Sequence, residues 1–221
     1  ADQQKFYNDV KEGIKDDIDK VVLSPAYISS LILRLRQVTA CPSILTTQDI
    51  SSAKIERAIE LAEQIIEEGN KVVIFSNFKQ TLDILNDKLK EYNPVICTGD
   101  IKDIDIQNNV EKFQINKDIK IMLGTWQKMG TGFTLTSAAY MIFIDTPYTK
   151  ADCTQCEDRI YRIGTDRPVF IYYLWTNNTV DEHVKDIIDG KGVMADYIID
   201  DKIEIKDRDI LKKYILDILD E

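Results

Sequence analysis

The stretch Lys71-Val72-Val73-Ile74-Phe75 gives the clearest indication of the fold of this 221-residue chain. It is short, almost wholly apolar and bounded by turn residues, a pattern typical of a strand buried on both faces of a parallel sheet. An amphipathic helical pattern precedes it, beginning at Ser51 or Ser52 and ending at Gly69. Another helical pattern follows through residues 82–89. The stretch therefore predicts the first strand of an α/β unit.

The same alternation of strand and helix recurs four more times along the chain. We predict the further strands at residues 95–97, 119–123, 140–144 and 169–174. Each is followed by a helical pattern or, after the third strand, by a glycine-rich turn. Five strands alternating with helices predict an open parallel sheet with helices on both faces. In such sheets ligands bind at the carboxyl ends of the strands, so we expect the functional residues there.

Helical patterns flank this α/β unit at both ends. We predict a helical leader over residues 1–50, an α/β domain over 51–190 and an acidic helical tail over 191–221. The tail pattern places one helix at 194–199 and another through Ile210, Ile215 and Leu219. Residues 181–221 carry 13 Asp and Glu against 7 Lys and Arg, so they supply −6 of the formal charge of the chain.

Composition excludes several classes of protein. The chain has 28 Lys and Arg against 38 Asp and Glu, a net charge of −10, which argues against nucleic-acid binding by bulk attraction to phosphate. It leaves open nucleic acid held by a few placed groups. Four cysteines without a signal peptide indicate a reducing cytoplasm. We expect no membrane association and no metal site, and the start at Ala1 leads us to expect a piece of a longer protein.

Small polar residues and glycines follow three of the predicted strands. They are Ser76 and Asn77 after the first, Thr98 and Gly99 after the second, and Thr125, Gly130, Thr131 and Gly132 after the third. Paired glycines let backbone amides approach a phosphate, and hydroxyl groups add donors. A plain tight turn explains the glycine pair equally well when it is taken alone.

Two arginines follow the fourth strand in a region with a helical pattern. Arg159 and Arg162 are three residues apart, which predicts that they project from one helix face. Only seven arginines stand against 21 lysines in the chain. A planar guanidinium offers paired donors to phosphate and stabilises charge on a phosphoryl group in transfer. The alternative is a surface role in which they pair with Glu157 or Asp158.

Three segments together resemble the second RecA-like lobe of superfamily-two helicases, in particular the Swi/Snf-type DNA translocases. Residues 71–78 (KVVIFSNF) resemble helicase motif IV, 129–138 (MGTGFTLTSA) motif V and 155–164 (QCEDRIYRIG) motif VI. The resemblance covers roughly residues 5–190. Met129 and Thr134 depart from the usual motif V, in which a glycine and an asparagine are expected.

The resemblance implies a three-layer RecA-like fold and a share in an ATP-dependent motor. It implies ATP and Mg²⁺ bound mainly by an N-terminal RecA-like lobe of the same protein, and double-stranded DNA as the other partner. Arg159 and Arg162 would act as arginine fingers, with Gly130, Thr131, Gly132 and Gln155 at the ATP cleft or coupling it to DNA. The predicted contacts to the nucleic-acid backbone are Ser76, Asn77, Thr98, Gly99 and Thr125.

The sequence lacks the phosphate-binding loop that such a motor requires. No GxxxxGK[ST] pattern is present, and the Gly190-Lys191 pair is followed by Gly192. We therefore expect the chain alone to be inactive as an ATPase. Two other interpretations stay open: a non-catalytic RecA-like interaction module that docks a partner, and the lobe of an RNA helicase.

Overall fold

The computed structural model describes residues 2–18, 24–129, 132–161, 168–190 and 208–220. Its contacts divide the chain into two compact units. One unit combines Ala1–Ser52 with Trp175–Glu221, and the other is Ala53–Leu174. The domain limits of the sequence analysis, 1–50, 51–190 and 191–221, stay predictions.

The secondary structure alternates strand and helix through the middle of the chain. In chain order the elements are α1 (Asp2–Asp17), α2 (Pro25–Ala40), α3 (Ala53–Glu67), β1 (Val72–Phe75), α4 (Lys79–Lys88), β2 (Val95–Cys97), α5 (Asp103–Ile115), β3 (Ile121–Gly124), α6 (Trp126–Met129), β4 (Tyr140–Phe143), α7 (Lys150–Glu157), β5 (Phe170–Tyr173), α8 (Val180–Ile188) and α9 (Arg208–Asp220). Short 3-10 turns lie at Pro42–Ile44 and Lys90–Tyr92. The predicted helix at 194–199 lies outside the described residues.

The unit Ala53–Leu174 contains a five-stranded sheet of strand order β2-β3-β1-β4-β5. All four pairings are parallel. The prediction of a parallel α/β sheet is confirmed, and each observed strand lies within two residues of its predicted limits. The structure also shows why β1 dominates the pattern. It is the central strand, and all four of its side chains are buried.

Helices cover both faces of this sheet, as the alternation of side chains along a strand requires. On one face, Val73, Phe75 and Phe143 pack in a core cluster with α5 and with the end of α7. Alternate residues such as Ile74 point to the opposite face, where α3 contacts β1 and α4 contacts β3. Near-continuous burial on both faces explains the all-apolar strands.

Lys71, at the start of the 71–75 stretch, caps a neighbouring helix. Its Nζ donates to the carbonyl oxygens of Phe113 and of Asn116, the latter at 2.8 Å, where α5 ends. Burial lowers the pKa of this ammonium group. A lysine here satisfies carbonyls that the helix itself leaves without donors, and its charge complements the helix C-terminus.

The other unit is helical. Helices α1, α2 and α9 contact one another, and α2 also contacts α8. The start of α8 is tied down by buried polar groups. The Tyr7 hydroxyl accepts from the Val180 backbone N–H at 2.7 Å. The Asp181 carboxylate accepts from the Thr176 N–H at 2.9 Å and from the Thr39 hydroxyl at 3.3 Å.

Replacing Tyr7 by phenylalanine should destabilise this helical unit. The ring is 2% exposed and keeps its packing, but the buried Val180 N–H loses its acceptor, at a cost of about 1–3 kcal/mol. Chemical denaturation of the whole chain followed by circular dichroism measures the difference. Tyr161→Phe, at a tyrosine that is 57% exposed, is the matched control. Equal unfolding free energies for the two variants would contradict the assigned role.

Within the described residues, no helix is both long and apolar enough to cross a membrane.

Candidate functional site

The candidate site lies at the carboxyl edge of the sheet, where four strands end at the same level. Phe75 pairs in register with Gly124 and with Phe143, and Gly124 pairs with Cys97. The ladder continues one residue further. Ser76 N–H donates to the Gly124 carbonyl at 3.2 Å. The loops that follow β1, β2, β3 and β4 therefore emerge side by side.

A buried carboxylate fixes the loop after β1. Asp145, which follows β4 and is 3% exposed, accepts from the Ser76 hydroxyl at 2.5 Å and from the Asn77 N–H at 2.9 Å. The Ser76 hydroxyl in turn accepts from the Phe78 N–H at 3.1 Å. Because both carboxylate oxygens hold this loop, Asn77 is presented in one orientation. Ser76 itself is fully buried.

The loop after β3 holds the same segment from the other side. The Gln127 side-chain amide, on α6, donates to the Asn77 side-chain oxygen at 2.5 Å. Strand β1 lies between β3 and β4 in the sheet, so neighbours on both sides clamp its loop. Gly124 makes room for α6, since a Cβ there would lie 2.5 Å from Cγ of Met129 and 3.1 Å from the Cys97 carbonyl oxygen.

The loop after β2 carries a second polar cluster. The Thr98 hydroxyl is buried and donates to the Asp100 carboxylate at 2.5 Å. Lys79, at the start of α4, lies 3.1 Å from the same carboxylate. Gly99 is exposed, and Thr125 is half-buried. The five predicted backbone-contact residues thus lie along this edge, but Ser76 and Thr98 are buried and their hydroxyls are bonded to aspartates.

The segment around Gly132 is joined to the segment around Arg159 by a backbone hydrogen bond. Leu135 N–H donates to the carbonyl of Arg159 at 2.7 Å. Gln114 on α5 braces the same loop, donating to the Thr134 carbonyl at 2.6 Å and accepting from the Ser137 N–H at 2.8 Å. Gly132 has φ +82°, a conformation that favours glycine.

Arg159 lies in a turn and not on the predicted helix face. Helix α7 ends at Glu157, and the Ile160 and Tyr161 N–H groups close onto the Glu157 carbonyl. The helical pattern of this region therefore ends earlier than expected, since residues 158–160 form a turn and the Arg159 carbonyl accepts from the Leu135 N–H. Arg159 is half-buried and Gln155 is exposed. Arg162, Gly130 and Thr131 lie outside the described residues.

A tyrosine on β5 anchors the end of α7. The Tyr173 hydroxyl donates to the Glu157 carboxylate, and burial together with this carboxylate raises the pKa of the tyrosine. Cys153 and Cys156 are buried on the same helix, and burial raises the pKa of their thiols to about 11 and about 12. Both are therefore protonated thiols near neutral pH, not nucleophilic thiolates.

Sequence reasoning did not assign Asp145, Gln127, Lys79 or Asp100 to this site. Asp145 directly follows the fourth predicted strand, and this position was the one available signal for it. The contacts of the other three depend on strand order, which places β3 between β2 and β1. Strand order is not apparent in a single sequence.

Comparisons with known proteins agree with this architecture. Residues 53–164 match a family model described as the helicase conserved C-terminal domain. The chain is 36% identical over 141 residues to Protein CHROMATIN REMODELING 24 of Arabidopsis thaliana, covering 63% of this chain and 13% of that relative. It is 29% identical over 217 residues to ATP-dependent helicase FUN30 of Saccharomyces cerevisiae, covering 97% of this chain and 19% of that relative.

Two solved structures are similar over almost the whole chain. One is the Sulfolobus solfataricus SWI2/SNF2 ATPase core in complex with dsDNA, with a TM-score of 0.75 and 27% identity over 99% of this chain and 47% of that one. The other is the C-terminal part of the Fun30 ATPase domain, with a TM-score of 0.62 and 28% identity over 95% and 66%. The chain spans less than a fifth of the length of the two curated relatives named above.

Proposed function

We propose a function from one premise: the chain belongs to the helicase conserved C-terminal domain family and is the C-terminal lobe of a Swi/Snf-type helicase. We infer that it is the second half of an ATP-dependent motor that translocates on double-stranded DNA. An N-terminal RecA-like lobe of the same protein would complete the ATP site. The chain alone would then bind ATP poorly and hydrolyse none.

The observation that carries the proposal is the convergence of polar loops at one edge of the sheet. Asn77, Gly99 and Thr125 follow three adjacent strands and are at least partly exposed there. Backbone amides and small polar side chains position a nucleic-acid backbone without reading its sequence. We assign the phosphate contacts to these three residues. Ser76 and Thr98 would contribute by shaping the loops, since their hydroxyls are buried.

The ATP end of the site would be formed by the segment around Arg159. Arg159 and Arg162 would donate to the γ-phosphate oxygens of ATP, with Gln155 beside them and Mg²⁺ held by the other lobe. Bound ATP with Mg²⁺ would supply the phosphoryl group, and these arginines would stabilise the charge that develops on it. The sequence agrees with this division, because it holds motif VI arginines but no phosphate-binding loop.

A direct physical link would couple the ATP end of the site to the loops proposed to contact DNA. The Leu135–Arg159 backbone hydrogen bond joins the loop that resembles motif V to the turn that contains Arg159. A displacement of this turn when the ATP cleft closes would move the segment that follows β3. Gly130, Thr131 and Gly132 are the proposed coupling residues in that segment. Closing and reopening of the cleft would then shift the lobe along the duplex.

Joining the chain to its natural N-terminal lobe tests this function. We expect ATP hydrolysis that double-stranded DNA stimulates, against no hydrolysis by the chain alone. A coupled ATPase assay with duplex DNA, single-stranded RNA and no nucleic acid measures it. Stimulation by RNA in place of DNA would identify an RNA helicase lobe. Absence of hydrolysis under all three conditions would favour a non-catalytic interaction module.

A further inference from the structure

Two lysines at the carboxyl edge are each paired with an aspartate from a neighbouring loop. Lys79 Nζ, at the start of α4, lies 3.1 Å from Asp100 and 3.7 Å from Asp83. Lys128 Nζ, on α6, lies 2.9 Å from Asp103 at the start of α5. Lys79 follows β1 and pairs across to the loop after β2, and Lys128 follows β3 and pairs to the helix that begins after β2. They lie beside the proposed phosphate contacts, since Lys79 directly follows the 71–78 stretch and Lys128 directly precedes the 129–138 stretch.

The two aspartates are well placed to hold the lysines. Hydrogen bonding from Thr98 and then from Lys79 lowers the pKa of the Asp100 carboxyl, which therefore stays ionised at neutral pH. Asp103 lies in the first turn of α5, where the helix end favours an anion. Asp100 and Asp103 are exposed by 55% and 88%. Each lysine therefore faces an acceptor that a mobile anion can replace.

We propose that Lys79 and Lys128 are contacts to the DNA phosphates, and that Asp100 and Asp103 restrain them by occupying the lysines until a phosphate displaces the carboxylate. This inference rests on the proposed function, since it requires duplex DNA at this edge. It gives the lobe two positively charged contacts to DNA, although the chain as a whole has a negative net charge. The aspartates act as internal competitors that weaken binding and limit its dependence on salt.

The energetics permit such an exchange. Exposed ion pairs contribute little to stability, so a phosphate can displace either carboxylate at little cost. A lysine that leaves an aspartate for a phosphate changes one anion for another. The aspartate carboxylate then remains unpaired near the DNA, and the phosphates repel it because both are negatively charged. Removing the carboxylate therefore increases DNA affinity. The lysine then neutralises a DNA phosphate without competition, and the full release of the counterions of that phosphate makes binding more dependent on salt.

Binding of a labelled DNA duplex to the whole chain, followed by fluorescence anisotropy at several salt concentrations, tests the proposal. Asp100→Asn should tighten binding about twofold to fivefold and steepen the salt slope by about 1. Asp103→Asn should act similarly through Lys128, which provides an independent second variant. The asparagine at position 100 keeps an acceptor for the Thr98 hydroxyl, and circular dichroism confirms that each variant is folded.

Two comparisons separate this restraint from a general loss of negative charge. Asp87→Asn changes the net charge equally near the far end of α4, where Asp87 faces Lys90 at 3.7 Å. At about 0.1 M salt, screening over about 10 Å should leave its DNA affinity unchanged. In a Lys79→Ala background, Asp100→Asn should no longer tighten binding, because the lysine that it releases is absent.

The outcomes test this inference separately from the proposed function on which it rests. If the wild-type chain binds duplex DNA but Asp100→Asn matches Asp87→Asn, the restraint is wrong and the proposed function stands. A gain that persists in the Lys79→Ala background also overturns it. If neither the wild type nor any variant binds duplex DNA even at low salt, DNA binding at this edge fails, and both proposals fall together.

Discussion

Replacing Arg162 by alanine, in a protein that joins this chain to its N-terminal lobe, should lower the kcat of the DNA-stimulated ATPase by roughly 10³-fold or more. An arginine finger stabilises charge that develops on the phosphoryl group in the transition state. Its loss therefore lowers kcat and leaves substrate binding largely intact. Steady-state kinetics at saturating DNA, with KM for ATP measured alongside, tests this.

Control substitutions show whether the loss belongs to this position. Arg57→Ala removes an exposed arginine that pairs with Glu60 on α3, and we expect its kcat to equal that of the wild type. Arg162→Lys keeps the charge without the planar fork and should recover little of the activity. Turnover by Arg162→Ala within a few-fold of wild type would remove this arginine from the catalytic role.

Replacing Asp145 by alanine should have the second largest effect, on stability and DNA binding together. The Ser76 hydroxyl and the Asn77 N–H would each lose a buried acceptor, at about 1–3 kcal/mol apiece. We expect the unfolding free energy to fall by about 2–6 kcal/mol. The loop that presents Asn77 would also lose its fixed orientation, so duplex affinity should fall. Denaturant unfolding and anisotropy titration measure the two effects.

Matched variants make the assignment of Asp145 specific. Asp145→Asn keeps one acceptor oxygen and should lose less stability than the alanine variant. Asp118→Ala removes an exposed carboxylate from the turn before β3 and should change stability by no more than about 0.5 kcal/mol. If Asp145→Ala were as stable as Asp118→Ala, the buried carboxylate would not be holding the loop after β1.

Several parts of the site could be predicted from the sequence. The apolar strands are each followed by small polar residues, and parallel sheets gather such residues at one edge. The positions of Asn77, Gly99 and Thr125 follow from this rule alone. The conformation of Gly132 also agrees with the role of glycine in such turns, since its φ is +82°.

The roles of individual side chains within that edge could not be predicted in the same way. Ser76 and Thr98 resemble surface donors in the sequence, yet both are buried and bonded to aspartates. The end of α7 at Glu157 likewise depends on distant partners, because Tyr173 binds the Glu157 carboxylate and Leu135 binds the Arg159 carbonyl. Local periodicity carries no information on such long-range bonds.

Sequence patterns alone predict the class of fold, the five strands to within two residues, and the family. These depend on local hydrophobic patterning and on short motifs, which are written along the chain. Tertiary structure alone decided the order β2-β3-β1-β4-β5, and with it the meeting of Asp145, Asn77 and Gln127. It also decided that Lys79 and Lys128 face aspartates. Strand order is selected by packing of the whole sheet, so contacts between loops far apart in sequence exist only once the sheet has formed.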